Sequence, residues 1–151
     1  CLHECIGFFR SRGASGAMIT YLADGGIEGC YRKGVSDIFR RSKLGYFAVK
    51  TCYQDPFVMG RDGDFVLSAS DALKLTVCNN QSDLAGKEGI LQVRVKDRND
   101  KEVSGREIAF TFSERPVQSL GEWKPRFSGS GLYRIEYEVF EQQDAGGCAR
   151  G

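Results

Sequence analysis

Ile90-Leu91-Gln92-Val93-Arg94-Val95-Lys96, then Glu107 to Ser113, then Tyr133-Arg134-Ile135-Glu136-Tyr137-Glu138-Val139, alternate residue by residue. Leu91, Val93 and Val95 share one parity, and Gln92, Arg94 and Lys96 the other. Ile108, Phe110 and Phe112 oppose Glu107, Ala109, Thr111 and Ser113, and Tyr133, Ile135, Tyr137 and Val139 oppose Arg134, Glu136 and Glu138. Strand side chains point alternately to the two faces of a sheet, so these are strands with one dry face and one wet face. The turns between them, Asp97-Arg98-Asn99-Asp100 and Ser128-Gly129-Ser130-Gly131, carry the residues that tolerate tight backbone. The expectation is half of an antiparallel β-sandwich.

Outward from this core, composition sets bounds. A chain of 151 residues suits one ordinary domain or two small ones. With 41% hydrophobic and 11% aromatic residues it can fill a core. The net charge of +1 excludes a chain-wide attraction to nucleic acid or membrane. No apolar run approaches the roughly 20 residues of a membrane helix. The chain begins at Cys1, which reads as a mature or excised fragment, so membrane attachment is expected only through a segment absent from it.

Six cysteines, Cys1, Cys5, Cys30, Cys52, Cys78 and Cys148, stand at long spacings without a CxxC pair. That argues against zinc-ribbon or thioredoxin chemistry and for disulfides, hence for an oxidising, extracellular setting. Asn80-Gln81-Ser82 is an N-glycosylation acceptor in the polar run 79–83, and it points to the same compartment.

Earlier in the chain, residues 1–12 read as an edge strand pinned by disulfides, Ala17 to Ala23 as a strand, and Ile27 to Arg32 as its hairpin partner. Ser36-Asp37 could cap a helical turn with Ile38 and Phe39 facing in. Tyr46 to Tyr53, Phe65 to Ser68 and residues 73–78 read as strands, with a further short one at Glu122 to Phe127. A boundary near 62–72 divides a cysteine-containing N-terminal β region, 1–63, from a sandwich, 64–151. Cys78 and Cys148 would then tie the ends of the second part, although six cysteines allow 15 connectivities.

From about Phe65 to Gly146 the order of features resembles a filamin-type or immunoglobulin-like repeat. The matching stretches are residues 91–105, residues 108–112, and Gly129 to Tyr137 followed by Ala145-Gly146. Such repeats carry a strand, "V-x-D-x-x-x-x-x-V-x-G", a second strand, and "G-x-Y-x-V-x-Y" before a Gly-bearing turn. The resemblance covers a little over half of the chain. It departs from the family in its six cysteines and in ending at Cys148-Ala149-Arg150-Gly151, where a final strand is usual. It implies an all-β, Ig-like or filamin-like sandwich with a disulfide-stapled N-terminal β extension. The cysteines turn that implication from actin cross-linking towards extracellular adhesion and receptor recognition, adhesion proteins of gamete surfaces included.

His3 is the only histidine, near a terminus, so a Ser-His-Asp or Cys-His arrangement has little to stand on. Glu136 and Glu138 share a strand face, and Arg134 beside them marks that face as solvated. Asp62-Gly63-Asp64 and the Asp97 turn lack the spacing of a calcium loop. No catalytic set, metal or cofactor is expected. The one charge anomaly is residues 32–50, where Arg32, Lys33, Arg40, Arg41, Lys43 and Lys50 face only Asp37, interleaved with Tyr31, Phe39, Tyr46 and Phe47. Arg32, Lys33, Phe39, Arg40, Arg41 and Lys43 are the expected partner-binding residues, suited to an acidic protein surface or an acidic glycan. The expected function is an extracellular recognition or adhesion module that binds a protein on a cell surface. The alternative is a carbohydrate-binding module, which needs Trp123, the only tryptophan, as an exposed platform.

Overall fold

The computed structural model describes residues 2–14, 16–25, 33–60 and 66–141. Among them are two helices, α1 (Leu2–Ser11) and α2 (Leu44–Cys52), and six strands: β1 (Phe57–Met59), β2 (Leu73–Cys78), β3 (Glu88–Lys96), β4 (Glu102–Thr111), β5 (Val117–Trp123) and β6 (Arg134–Glu141). The strands form two antiparallel sheets, ordered β1-β2-β5 and β4-β3-β6.

β3 is the centre of the second sheet, and its alternation is the pattern that decides the fold. Leu91, Val93 and Val95 are fully buried, while Gln92, Arg94 and Lys96 between them are half-buried. In register, Leu91 lies between Ile108 and Val139, Val93 opposite Tyr137, and Val95 opposite Ile135. The dry face of β3 meets Val58, Leu73, Leu75, Val77 and Trp123 of the first sheet in one buried cluster. The sheets therefore stack face to face, and each fully buried Leu or Val there contributes about 1.5–3 kcal/mol of transfer free energy.

The first sheet is covered on its other face as well. Val58 pairs with Val77 towards the sandwich, while one residue away Phe57 pairs with Cys78 towards the helices. Phe57, Met59 and Cys78 form a second buried cluster with Ile6 of α1 and Cys52 of α2. This is why all three residues of β1 are buried. Gly7 allows the close approach: a Cβ there would stand 2.7 Å from Met59 Sδ and 3.2 Å from Phe57 Cζ. Arg10 locks the layer. Its guanidinium donates to the carbonyls of Cys52 and Gln54, pairs with the Asp55 carboxylate, and lies 5.2 Å from the Phe57 ring centroid.

Several expectations are corrected. Residues 2–11 are a helix, not an edge strand: Glu4 in the first turn and Arg10 in the last complement the helix dipole, and Ile6 and Gly7 are its buried residues. Residues 44–52 are a helix, not a strand, because Gly45, Ala48, Val49 and Cys52 sit inward at helical spacing. Among the described residues, the expected N-terminal β extension holds two helices, irregular chain with isolated bridges, and the short strand β1. Residues 17–22 are irregular, with a single bridge at Ala23, and the expected partner strand 27–32 lies outside the described residues. Residues 66–68 are irregular, and Phe65 lies outside the described residues. The strand expected at 122–127 lies earlier in the chain: β5 runs the seven residues Val117–Trp123, and 124–127 are irregular. β1 lies on the N-terminal side of the expected boundary and pairs with β2 on the other side. No described helix is long and apolar enough to cross a membrane.

Arg10→Ala should lower unfolding stability by about 2–4 kcal/mol, because the Asp55 carboxylate and two carbonyls lose their donor. Leu132→Ala, at an exposed position, should change it by less than about 0.5 kcal/mol. Urea titration followed by Trp123 fluorescence measures both.

Candidate interaction surface

The expected partner-binding residues fall on a small scaffold built from three short segments. Ala23 bridges Ser36 in parallel, and Ser36 bridges Ser42 in antiparallel fashion. Asp24 N–H donates to Ser36 O at 2.8 Å, Ser36 N–H to Leu22 O at 3.0 Å, and Lys43 N–H to Val35 O at 3.0 Å. Val35 and Ser36 are buried, and the Ser36 hydroxyl adds a 2.8 Å bond to Leu22 O.

Asp24 fastens the scaffold. Its Oδ1 accepts from Gly34 N–H at 2.9 Å and from Lys43 Nζ at 2.7 Å, and Lys43 Nζ also reaches Gly34 O at 3.1 Å. The bond from Lys43 holds the Asp24 carboxyl below its usual range. Gly34 must be glycine here, since any Cβ would collide with the Ala23 backbone. Lys43 is therefore turned inward, tying 24 to 34, and does not stand with the other cations as expected.

Asp37 organises the tip. Its Oδ1 accepts from the N–H groups of Phe39 and Arg41, each at 2.9 Å, and its Oδ2 takes Arg41 Nε at 2.6 Å. Burial raises the Asp37 pKa, but the backbone and guanidinium bonds from Arg41 outweigh it and leave the group lowered. The result is a tight turn, not the expected helical cap, with Arg40 at φ +65°. Ile38 and Phe39 point outward instead of in, Phe39 being 71% exposed. The Arg41 guanidinium lies 5.2 Å from the Phe39 ring centroid. Lys33, Arg40 and Arg41 are exposed, while Arg32 lies outside the described residues.

Tyr46 and Phe47, two of the aromatics expected here, stack edge to face at 5.5 Å on α2. Sequence reading missed Met18, Leu22 and Leu44, which are strongly exposed, Leu44 at 90%. Ala17 to Ala23 reads as a buried run, and no local signal marks it as surface.

The other candidates separate from this region. Trp123 is buried in the sandwich core at 8% exposure, so it is no carbohydrate platform. Glu136 is held low first by the hydrogen bond from Lys96, and Glu138 pairs with Arg94 at 3.0 Å. His3 stacks edge-on to Phe57 at 5.7 Å. Asp97 accepts from Asn99 and Lys101 N–H groups within its hairpin turn. Among the described residues no three His, Cys, Asp or Glu side chains gather as a metal site. Asn80 is exposed, directly before the 3-10 turn Ser82–Leu84. Cys5 is exposed, Cys52 and Cys78 are buried, and all three are unbonded, so no disulfide staple stands among the described residues; Cys1, Cys30 and Cys148 lie outside them. A groove of about 990 Å³ between β1 and β6 is lined by Phe57, Val58, Ile135, Tyr137 and Val139.

No known family model matches the chain, and no curated protein resembles it.

Asp24→Asn should lower the melting temperature at pH 7 and lose that effect in acid. The folded pKa is depressed, so the stabilisation is complete above the unfolded value near 3.8 and fades as pH falls through the lower folded one. Across melting curves of both proteins from pH 7 to pH 2.5, the difference should hold down to about pH 4 and shrink only below it.

Proposed function

We propose that this chain is a non-catalytic recognition module of a secreted or cell-surface protein, an Ig-like or filamin-like sandwich that binds an acidic protein surface through its 33–41 tip. The observation that carries this reading is the Asp37-clamped turn. It displays Phe39, Arg40 and Arg41 in a fixed geometry while its own carboxylate is consumed. Arg and aromatic side chains are the usual anchors of protein interfaces, and a turn ordered before contact loses less entropy on binding. Arg40 makes no ion pair among the described residues, and the exposed Leu22, Leu44 and Phe47 add apolar area on the segments joined to the scaffold. Two stacked antiparallel sheets and the order of strands β3, β4 and β6 support the Ig-like assignment. Six cysteines and an exposed acceptor asparagine support the extracellular one.

The double variant Arg40→Glu/Arg41→Glu should reduce binding of the labelled chain to intact cells that carry its partner by at least tenfold, with the melting temperature unchanged. Unchanged binding, with wild-type binding also insensitive to salt, would remove the surface from the tip. Chain secreted from a eukaryotic host should carry glycan at Asn80, seen as a mass loss on enzymatic deglycosylation that Asn80→Gln abolishes; an unglycosylated Asn80 in secreted chain would count against the extracellular reading.

A further inference from the structure

Cys52 and Cys78 belong to different elements, α2 and β2, and close both of them: each is the last residue of its element. The chain brings the two ends together. β1 runs antiparallel to β2, so Phe57, its first residue, is the register partner of Cys78. Phe57 and Cys78 therefore project from the same face of the sheet, the face covered by the helices. The connection from Cys52 to Phe57 is folded around one guanidinium: Arg10 binds the carbonyls of Cys52 and Gln54 and the carboxylate of Asp55, and caps the Phe57 ring. Cys52, Phe57 and Cys78 share one buried cluster with Ile6 and Met59, against which Ile19 and Val49 pack. With the thiols reduced, Cys52 Sγ donates to His3 O at 3.5 Å.

We infer that Cys52 and Cys78 are a disulfide pair in the oxidised protein, joining α2 to β2 beneath Arg10. The bond would close a loop of roughly 25 residues containing β1, the strand with the fewest residues to hold it. A small-molecule disulfide such as oxidised glutathione is the oxidant. One cysteine thiolate attacks it and releases one reduced glutathione; the second thiolate attacks the mixed disulfide and releases another. Two protein thiols are oxidised to one disulfide, and one glutathione disulfide is reduced to two thiols, which take up the two protons. Burial raises the Cys52 pKa to about 11 and also raises that of Cys78, with Arg10 opposing in both. In the folded, reduced chain both thiols are therefore slow nucleophiles, and the bond is expected to form during folding.

The pairing is independent of the recognition surface and is tested without a partner. Chain made in bacteria is unfolded, reduced and refolded in a buffer of reduced and oxidised glutathione, then alkylated in acid and digested with trypsin without reduction. Trypsin separates the two positions, Cys52 falling in Thr51–Arg61 and Cys78 in Leu75–Lys87. The expected product is these two peptides joined, with a mass that splits into both on reduction. Either peptide joined to one bearing Cys1, Cys5, Cys30 or Cys148, or both recovered alkylated from folded protein, overturns the pairing. Where they are joined, Cys52→Ala/Cys78→Ala should melt roughly 10 °C lower while binding cells as the wild type does at low temperature. Loss of cell binding on charge reversal at Arg40 and Arg41 reports on the tip alone, so the two readings fail separately.

Discussion

The β1–β2 pair is buried on both faces, and much of the architecture answers that constraint. A strand pair with apolar residues of both parities cannot leave either face in water. Val58 and Val77 are covered by the second sheet, and Phe57, Met59 and Cys78 need a second cover. Helix α1 supplies it with Ile6 and the bare backbone of Gly7, and α2 supplies Cys52. Covering the sheet this way buries carbonyls and a carboxylate at the turn into β1. Arg10 is the group that satisfies them, with about an eighth of its side chain exposed. Helices α1 and α2 therefore form a layer on the outer face of the first sheet.

How much of this was legible in the sequence depends on how many faces each segment buries. β3 buries one face, and β4 and β6 half-bury theirs, so parity revealed most of β3 and β6 and the second half of β4. β1 buries both faces over three residues, and such a run has no period to read. β5 contains Gly121 at φ +88° and follows Pro116, and both residues argue against a strand locally. The long-range register with β2 overrides them. In Tyr46 to Tyr53 the apolar residues satisfy both a two-residue and a helical spacing. What decided the helix was the packing of Val49 and Cys52 against the second cluster, which lies far along the chain.

At the tip, residue types were readable and orientations were not. A run of cations with one acid and several aromatics marks an unusual surface from composition alone. Which cation is spent on structure depends on Asp24, nineteen residues before Lys43, reaching the same point in space. Phe39 points outward because Asp37 captures the N–H groups of Phe39 and Arg41 and tightens the turn, leaving no room for the helical cap that Ser36-Asp37 suggests.

Charge is distributed unevenly over the molecule, and the unevenness bears on where recognition can occur. The wet face of the second sheet is self-neutralised by cross-strand pairs: Lys96 with Glu136, Arg94 with Glu138, and Lys87 with Glu141. Exposed pairs like these add little stability, but they cancel the field that would draw a charged partner. They also place charge along the free edge of β6, which discourages edge-to-edge pairing with another sheet. At the 33–41 tip the balance is reversed. Asp37 is neutralised by Arg41 and Asp24 by Lys43, so the charge of Lys33 and Arg40 is left facing solvent, on the same segment as the exposed Phe39. A partner surface carrying carboxylates gains from both features at once.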